Sequence, residues 1–235
     1  MQARQKNQDR PQALADKIYQ TIKNDIFDFR LMPGDRFSEN EIAGRMAVSR
    51  TPVRQALFRL AREGYVEVWF RSGWQVCDFD FTRFEELYDL RIVLECEAVR
   101  RLCAMPEAQT SQRLRELWQF WIEAAPLAEG KEISLHDEAF HMTIVAAAGN
   151  SEMARIHAEL TEKIRIIRRL DFTREDRIAA TYQEHAQILL AVLQQQSREA
   201  QRILTAHIAV SKAEVRKITL HRLQQARTLP DSLNS

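Results

Sequence analysis

Hydrophobic positions along this chain follow a helical period, a brief two-residue period, and then a helical period again. Leu14, Ile18, Ile22 and Ile26 fall on one face and predict a helix of about 17 residues beginning near Pro11. Pro33-Gly34 closes the connection that follows. Ser38-Glu39-Asn40-Glu41 places a serine three residues before a glutamate, the capping-box spacing that starts a second helix. Ser49 is placed to cap a third, in which Pro52 is tolerated because a first-turn N–H has no helical partner to lose. That helix offers Val53, Ala56, Leu57 and Leu60 to a core and stops at Gly64. Residues 65–69 and 74–77 then alternate around Arg71-Ser72-Gly73, which predicts a hairpin with a glycine at its tip.

The run Asp78-Phe79-Asp80-Phe81 reads as a linker, and no strand pattern follows it. Helices are expected over 82–104, 107–125, 132–148, 151–170, 174–196 and 198–226, with breaks at Met105-Pro106, Pro126, Gly130, Gly149-Asn150 and Gln196-Ser197. The expected fold class is therefore mainly α. A winged helix-turn-helix domain over 1–78, with residues 1–10 disordered, precedes an all-α bundle of about six helices over 79–235.

Composition adds three constraints. A length of 235 residues accommodates two separate cores. The net charge of +1 divides unevenly: residues 1–78 carry 13 Lys+Arg against 10 Asp+Glu, for +3, and the remainder carries 21 against 23, for −2. Any nucleic-acid reading must then rest on local clustering, and between Arg45 and Arg62 there are five arginines and no acid. The three cysteines (Cys77, Cys96, Cys103) have no framework spacing, which argues for a reducing compartment. Cys96 and Cys103, seven residues apart, are expected to face a core. The first ten residues lack the apolar run of a secretory leader, and no stretch reaches the ~18 apolar residues of a membrane span. A cytoplasmic protein with no membrane partner is the expectation.

A helix-turn-helix presents the start of its second helix to base edges in the major groove. Here that start carries Ser49, Arg50, Thr51 and Arg54. Arg50 and Arg54 lie one turn apart, and an arginine fork suits guanine O6/N7 or a phosphate. The Ser49 and Thr51 hydroxyls suit phosphate oxygens. In the hairpin, read as a wing, Arg71 would supply charge and Gly73 a close backbone approach to the minor groove. Exposed arginines on a helix are commonly just solvated; the ordered succession of capping box, short turn, proline-bearing helix start and hairpin favours DNA instead.

The segment resembles the GntR family of bacterial winged-helix regulators through Pro33-Gly34, Ser38-Glu39, the string from Val48 to Arg54, Ala56-Leu57, Leu60, Glu63-Gly64 and Gly73. The resemblance implies a homodimer on a short palindromic double-stranded DNA operator, with Arg50, Thr51 and Arg54 at the DNA and Gly73 at the wing tip. Two positions depart from the family's pattern: Gln55 stands where glutamate is common, and Asn40 where some members place a DNA-contacting arginine.

Four polar residues of the helical region fall on inward stripes. Asp137 and His141 share one with Ile133, Phe140 and Ile144; His185 shares one with Ile178, Tyr182, Leu189 and Val192; His207 shares one with Ala200, Leu204 and Ile208. A buried carboxylate is costly unless it is paired or bound to a cation. Two arrangements satisfy these residues: a hydrogen-bonded Asp–His pair with ordinary core histidines, or a metal site assembled in the bundle. His136, His157 and His221 fall off the stripes and are expected at the surface.

Residues 82–220 resemble the FCD domain, the helical effector domain of one GntR branch. The resemblance is carried by Leu87-Tyr88, Arg91, Leu94-Glu95, Asp137-x3-His141, Ala148-Gly149-Asn150, Glu184-His185 and His207. It implies a divalent metal of the Zn, Ni or Mn class held by Asp137, His141, His185 and His207. Open coordination positions would accept a small carboxylate effector, with Arg91, or else Arg165, neutralising it; either arginine is equally able to form an ordinary ion pair within the bundle. The expected function is a ligand-responsive transcriptional regulator, a repressor and not an enzyme. The alternatives are a metal-dependent hydrolase fused to a DNA-binding domain, and a regulator whose metal is purely structural.

Overall fold

The computed structural model describes residues 2–70, 73–124, 130–171, 175–215 and 217, with side chains described except at 2–12, 130, 131, 170, 171, 175 and 214. These residues form two compact units, one ending at Phe79 and the other beginning at Asp80.

In the first unit, α1 spans Gln2–Phe27, so the helix begins nine residues ahead of Pro11. Gln, Arg, Lys and Ala favour helix even where no apolar stripe marks it, although Pro11 removes one N–H from the ladder and crowds the preceding turn. Ile18, Ile22 and Ile26 are buried as expected, whereas Leu14 lies at the exposed margin of the stripe. A three-residue strand, β1 (Arg36–Ser38), was not anticipated, because one apolar residue, Phe37, is too little to establish an alternation. It joins β2 (Val66–Trp69) and β3 (Gly73–Val76) in an antiparallel sheet of order β1-β3-β2. Phe37 and Val68 both register with the buried Trp74, and Val66 registers with Val76.

Between these strands lie α2 (Glu39–Arg45) and α3 (Arg50–Glu63). The capping box forms: the Ser38 hydroxyl accepts from Glu41 N, and Ser38 N donates to the Glu41 carboxylate. Ser49 is the N-cap of α3, but its side chain makes no capping bond. Pro52, Val53, Ala56, Leu57 and Leu60 are buried, and α3 ends at Gly64 with φ +82, the left-handed conformation that favours glycine.

Among its described residues the second unit contains helices joined by turns and no strand. It comprises α4 (Phe81–Cys103), α5 (Glu107–Arg113), α6 (Arg115–Trp118), a π turn (Gln119–Glu123), α7 (Gly130–Ala147), α8 (Ser151–Asp171), α9 (Glu175–Leu193) and α10 (Ser197–Val215). Asp80 caps α4 through Arg83 N. The single helix expected over 107–125 is instead broken into α5, α6 and the π turn. α4 packs against α7, α8, α9 and α10, and α7 also packs against α8 and α9. Buried residues of all five line the core, among them Tyr88, Phe140, Ile164, Leu189 and Leu204. Cys103 is buried; Cys96 is only half-buried.

Candidate functional site: a charged helix start and a buried carboxylate–histidine cluster

The start of α3 presents a polar outward face. Ser49, Arg50, Thr51 and Arg54 are all exposed, while the opposite face of the same helix is fully buried. Both arginines are tied to one carboxylate. Arg54 donates from Nε and Nη2 to the two oxygens of Glu39, at 2.9 Å each, and Arg50 Nη2 donates to Glu39 Oε2 at 3.1 Å. The hydrogen bonds from Arg54 hold the Glu39 carboxyl below its ordinary range, although burial opposes the shift. Gly73 is not at the hairpin tip, as expected, but is the first residue of β3, paired with Trp69 and Ser38. A Cβ added there would meet Phe37 O and Trp69 Cβ at 3.8 Å, ordinary contact distance, so the fold itself does not demand glycine. Arg71 lies outside the described residues.

In the helical unit, α7 positions Asp137 and His141 one turn apart, α9 supplies His185 and α10 supplies His207. All four are buried. One donor atom from each lies within 4.8 Å of every other. His141 Nε2 is 3.2 Å from His207 Nε2, and His185 Nε2 is 3.4 Å from the same atom. Asp137 Oδ1 lies 3.2, 3.5 and 4.0 Å from the Nε2 atoms of His185, His141 and His207.

The outer nitrogens of these rings determine what the inner ones can do. His141 Nδ1 is 2.6 Å from Glu95 Oε2, and His207 Nδ1 is 2.6 Å from Glu184 Oε2. A carboxylate accepts, so both Nδ1 atoms carry the proton and both Nε2 atoms are bare lone pairs when the rings are neutral. Two lone pairs at 3.2 Å repel unless a cation lies between them. Ligand–metal bonds of ~2.0–2.1 Å in a tetrahedral site give donor–donor edges of ~3.3–3.4 Å, close to most of the separations here. The donor set therefore fits a divalent metal, and the outer carboxylates are the partners that orient metal-binding imidazoles.

Burial pushes His185 well below the ordinary histidine range and His207 down to about 4, so both rings are neutral and able to ligate. Asp137 is also held well below its ordinary value: burial opposes this, but the positive charge of Arg168 outweighs it.

Several of these partners were not legible as a pattern. Arg168 donates through Nη2 to Asp137 Oδ2. Arg177 donates to Glu184 at 2.8 Å and has Nη2 3.2 Å from His207 Nδ1. Arg168 Nη1 and Arg177 Nε are buried without a hydrogen-bond partner among the described residues. His157, expected at the surface, is buried with Nε2 2.9 Å from Glu95. Its signal was present: His157, Leu160, Thr161, Ile164 and Arg168 share one face of α8, but polar residues at three of those positions hid the stripe. His136 is half-buried and stacks on Phe120 at 3.9 Å, and His221 lies outside the described residues. The π turn brings Trp121 edge-on to His185 at 4.2 Å, and Phe140 stacks on the same ring at 3.7 Å.

The two expected effector arginines are both ion-paired. Arg91 donates to Glu95 at 2.6 Å and is buried, with Nη2 lacking a partner among the described residues. Arg165 is half-buried, pairing with Glu138 at 2.9 Å and also with Glu162.

Residues 14–76 match the model of the bacterial regulatory proteins of the gntR family, and residues 86–210 match the FCD domain. The chain belongs to the GntR family. Among its relatives, the Nta operon transcriptional regulator of Aminobacter aminovorans is 29% identical over 180 residues, covering 77% of this chain and 84% of that protein. The HTH-type transcriptional repressor RspR of Escherichia coli K12 is 26% identical over 210 residues, covering 88% and 91%. A putative GntR transcriptional regulator from Rhodococcus sp. RHA1 has the same fold, with a TM-score of 0.67 over 87% of this chain and 98% of that one, at 19% identity. This GntR protein is accordingly a DNA-binding transcriptional regulator with an FCD domain, and its relatives are regulators, not enzymes. That removes the hydrolase alternative. No helix among the described residues is long and apolar enough to cross a membrane.

Proposed function

We propose that this GntR regulator is a repressor that binds a palindromic operator as a homodimer, and that its helical unit senses a small organic acid at a divalent metal. Asp137, His141, His185 and His207 would hold the metal. Ser49, Arg50, Thr51 and Arg54 would meet the DNA, joined by Arg71 and Gly73 of the wing. The observation that carries the sensor reading is the convergence of the bare Nε2 atoms of His141 and His207, 3.2 Å apart, beside Asp137 Oδ1. When bound, the metal supplies a Lewis-acidic centre of the Zn, Ni or Mn class on which a carboxylate can sit.

The chain's own residues do the rest. Asp137 is fixed by Arg168, while Glu95 and Glu184 orient the two imidazoles. Trp121 and Phe140 pack against His185. Of the cationic side chains, Arg168 and Arg177 touch ligand residues directly, which makes them better placed than Arg91 or Arg165 to meet an anion. An acid that favours one packing of the bundle would change operator affinity by its difference in affinity for the two states, ~1–3 kcal/mol for a typical coupling.

The test begins with chelator-treated protein loaded with Zn, Ni or Mn and weighed by native mass spectrometry. One metal per chain in a dimer is expected. Operator binding of the loaded dimer is then titrated with acetate, lactate, succinate and citrate. An acid that changes affinity by ~5–150-fold supports the sensor. A metal that raises the melting temperature while no acid changes DNA binding points to a structural metal.

A further inference from the structure

Arg54 lies on the exposed face of α3, and one of its two bidentate edges is already occupied. Its Nε and Nη2 each hold one oxygen of Glu39, and Arg50 Nη2 shares the second oxygen. The Glu39 side chain is 6% exposed, against 54% for Arg50 and 52% for Arg54. A carboxylate fixed in the protein thus anchors two guanidiniums that reach outward. A guanidinium offers a side edge, formed by Nε and one Nη, and an end edge formed by the two Nη atoms. With the side edge of Arg54 held, its end edge is what remains, and that edge matches guanine O6 and N7.

We propose that Glu39 is a positioning residue for sequence reading, holding Arg54 by its side edge and tethering Arg50 so that both present one orientation to DNA bases. The inference rests on the reading of α3 as the DNA-facing helix. Two physical effects follow from the clamp. Glu39 cancels one of the two positive charges, which weakens the sequence-independent attraction to phosphates. It also restricts the arginine rotamers before DNA arrives, so less conformational freedom is lost when a base is met in the correct geometry. Both effects raise the ratio of specific to non-specific affinity.

The experiment uses the full chain. Binding sites are selected by the wild type from random-sequence duplexes, and the selected and scrambled duplexes are then compared at several salt concentrations. Wild type, Glu39→Gln, Glu39→Asp and Arg54→Ala are measured at a temperature where melting curves show each to be folded. For Glu39→Gln, the specificity ratio should fall roughly tenfold, with tighter binding to scrambled DNA and a salt slope steeper by about one. Glu39→Asp keeps the charge but shortens the reach, so the ratio should fall with the salt slope unchanged. If Glu39→Asp keeps the full ratio, or Glu39→Gln tightens both duplexes equally, positioning is wrong and Glu39 acts only through charge. A wild type that selects no common sequence, or an Arg54→Ala variant that binds the selected site as tightly as the wild type, would instead overturn the reading of α3.

Discussion

The start of α3 and the centre of the helical unit both gather charged groups, but they solve opposite problems. At α3 the arginine side chains are about half exposed, so carrying them costs little stability, and the edges not held by Glu39 stay in contact with water. In the bundle, Asp137, Glu95, Arg91 and Arg168 are removed from water, and each must be balanced by a partner within reach. The lesson is that the exposed members of the first cluster without a buried partner, Ser49 and Thr51, can change without touching the fold, whereas Arg50 and Arg54 share the buried Glu39. The second cannot lose a member without stranding another.

The sharpest way to break this contrast is Asp137→Ala. It leaves the Arg168 guanidinium buried without its carboxylate, and a loss of about 3–5 kcal/mol is expected in chemical denaturation of the metal-free protein. A loss below ~1 kcal/mol, the size typical of an exposed ion pair, would erase the distinction. A smaller effect is expected for Glu95→Gln, which keeps the side-chain shape and one acceptor but weakens the hold on His141 Nδ1. Metal affinity, measured by competition with a chelator, should fall about 10–100-fold. An unchanged affinity would mean that His141 is oriented by packing alone. The smallest effect belongs to Gly73→Ala. Because the added methyl meets only van der Waals neighbours, the unfolding free energy should change by less than ~0.5 kcal/mol. If operator affinity nevertheless falls, the glycine serves close approach to DNA and not the fold.

The two clusters also differed in how readily they could be read. Ser49, Arg50, Thr51 and Arg54 are contiguous, and the exposed ends of their side chains follow from helical phase alone; the capping box at Ser38 and the stop at Gly64 are likewise local. The role of Glu39 was not apparent, since it precedes Arg54 by fifteen positions and meets it only because α2 and α3 pack together. In the bundle, Asp137, His141, His185 and His207 were recognisable as polar residues on apolar stripes. Their supporting groups were not. Glu95, His157, Arg168, Arg177 and Glu184 are polar residues of kinds normally found on a solvated face. Arg91 was singled out by resemblance, with an ordinary ion pair in the bundle as the other open reading, and packing gave it Glu95 as its partner.

Local order along the chain was sufficient for the ends of α2 and α3, the hairpin that follows them, and the four inward-facing candidate ligands. These depend on interactions between residues a few positions apart. Packing alone decided that three histidine rings bring their Nε2 atoms together beside one carboxylate oxygen, and that the 107–125 segment breaks into a π turn carrying Trp121 to His185. Packing likewise decided that Glu39 occupies one edge of Arg54. Such contacts join residues as far as 70 positions apart, from Asp137 to His207. Their partners are selected by burial, which forces every charge taken from water to find a counterpart, and no periodicity within a single helix records which one it will be.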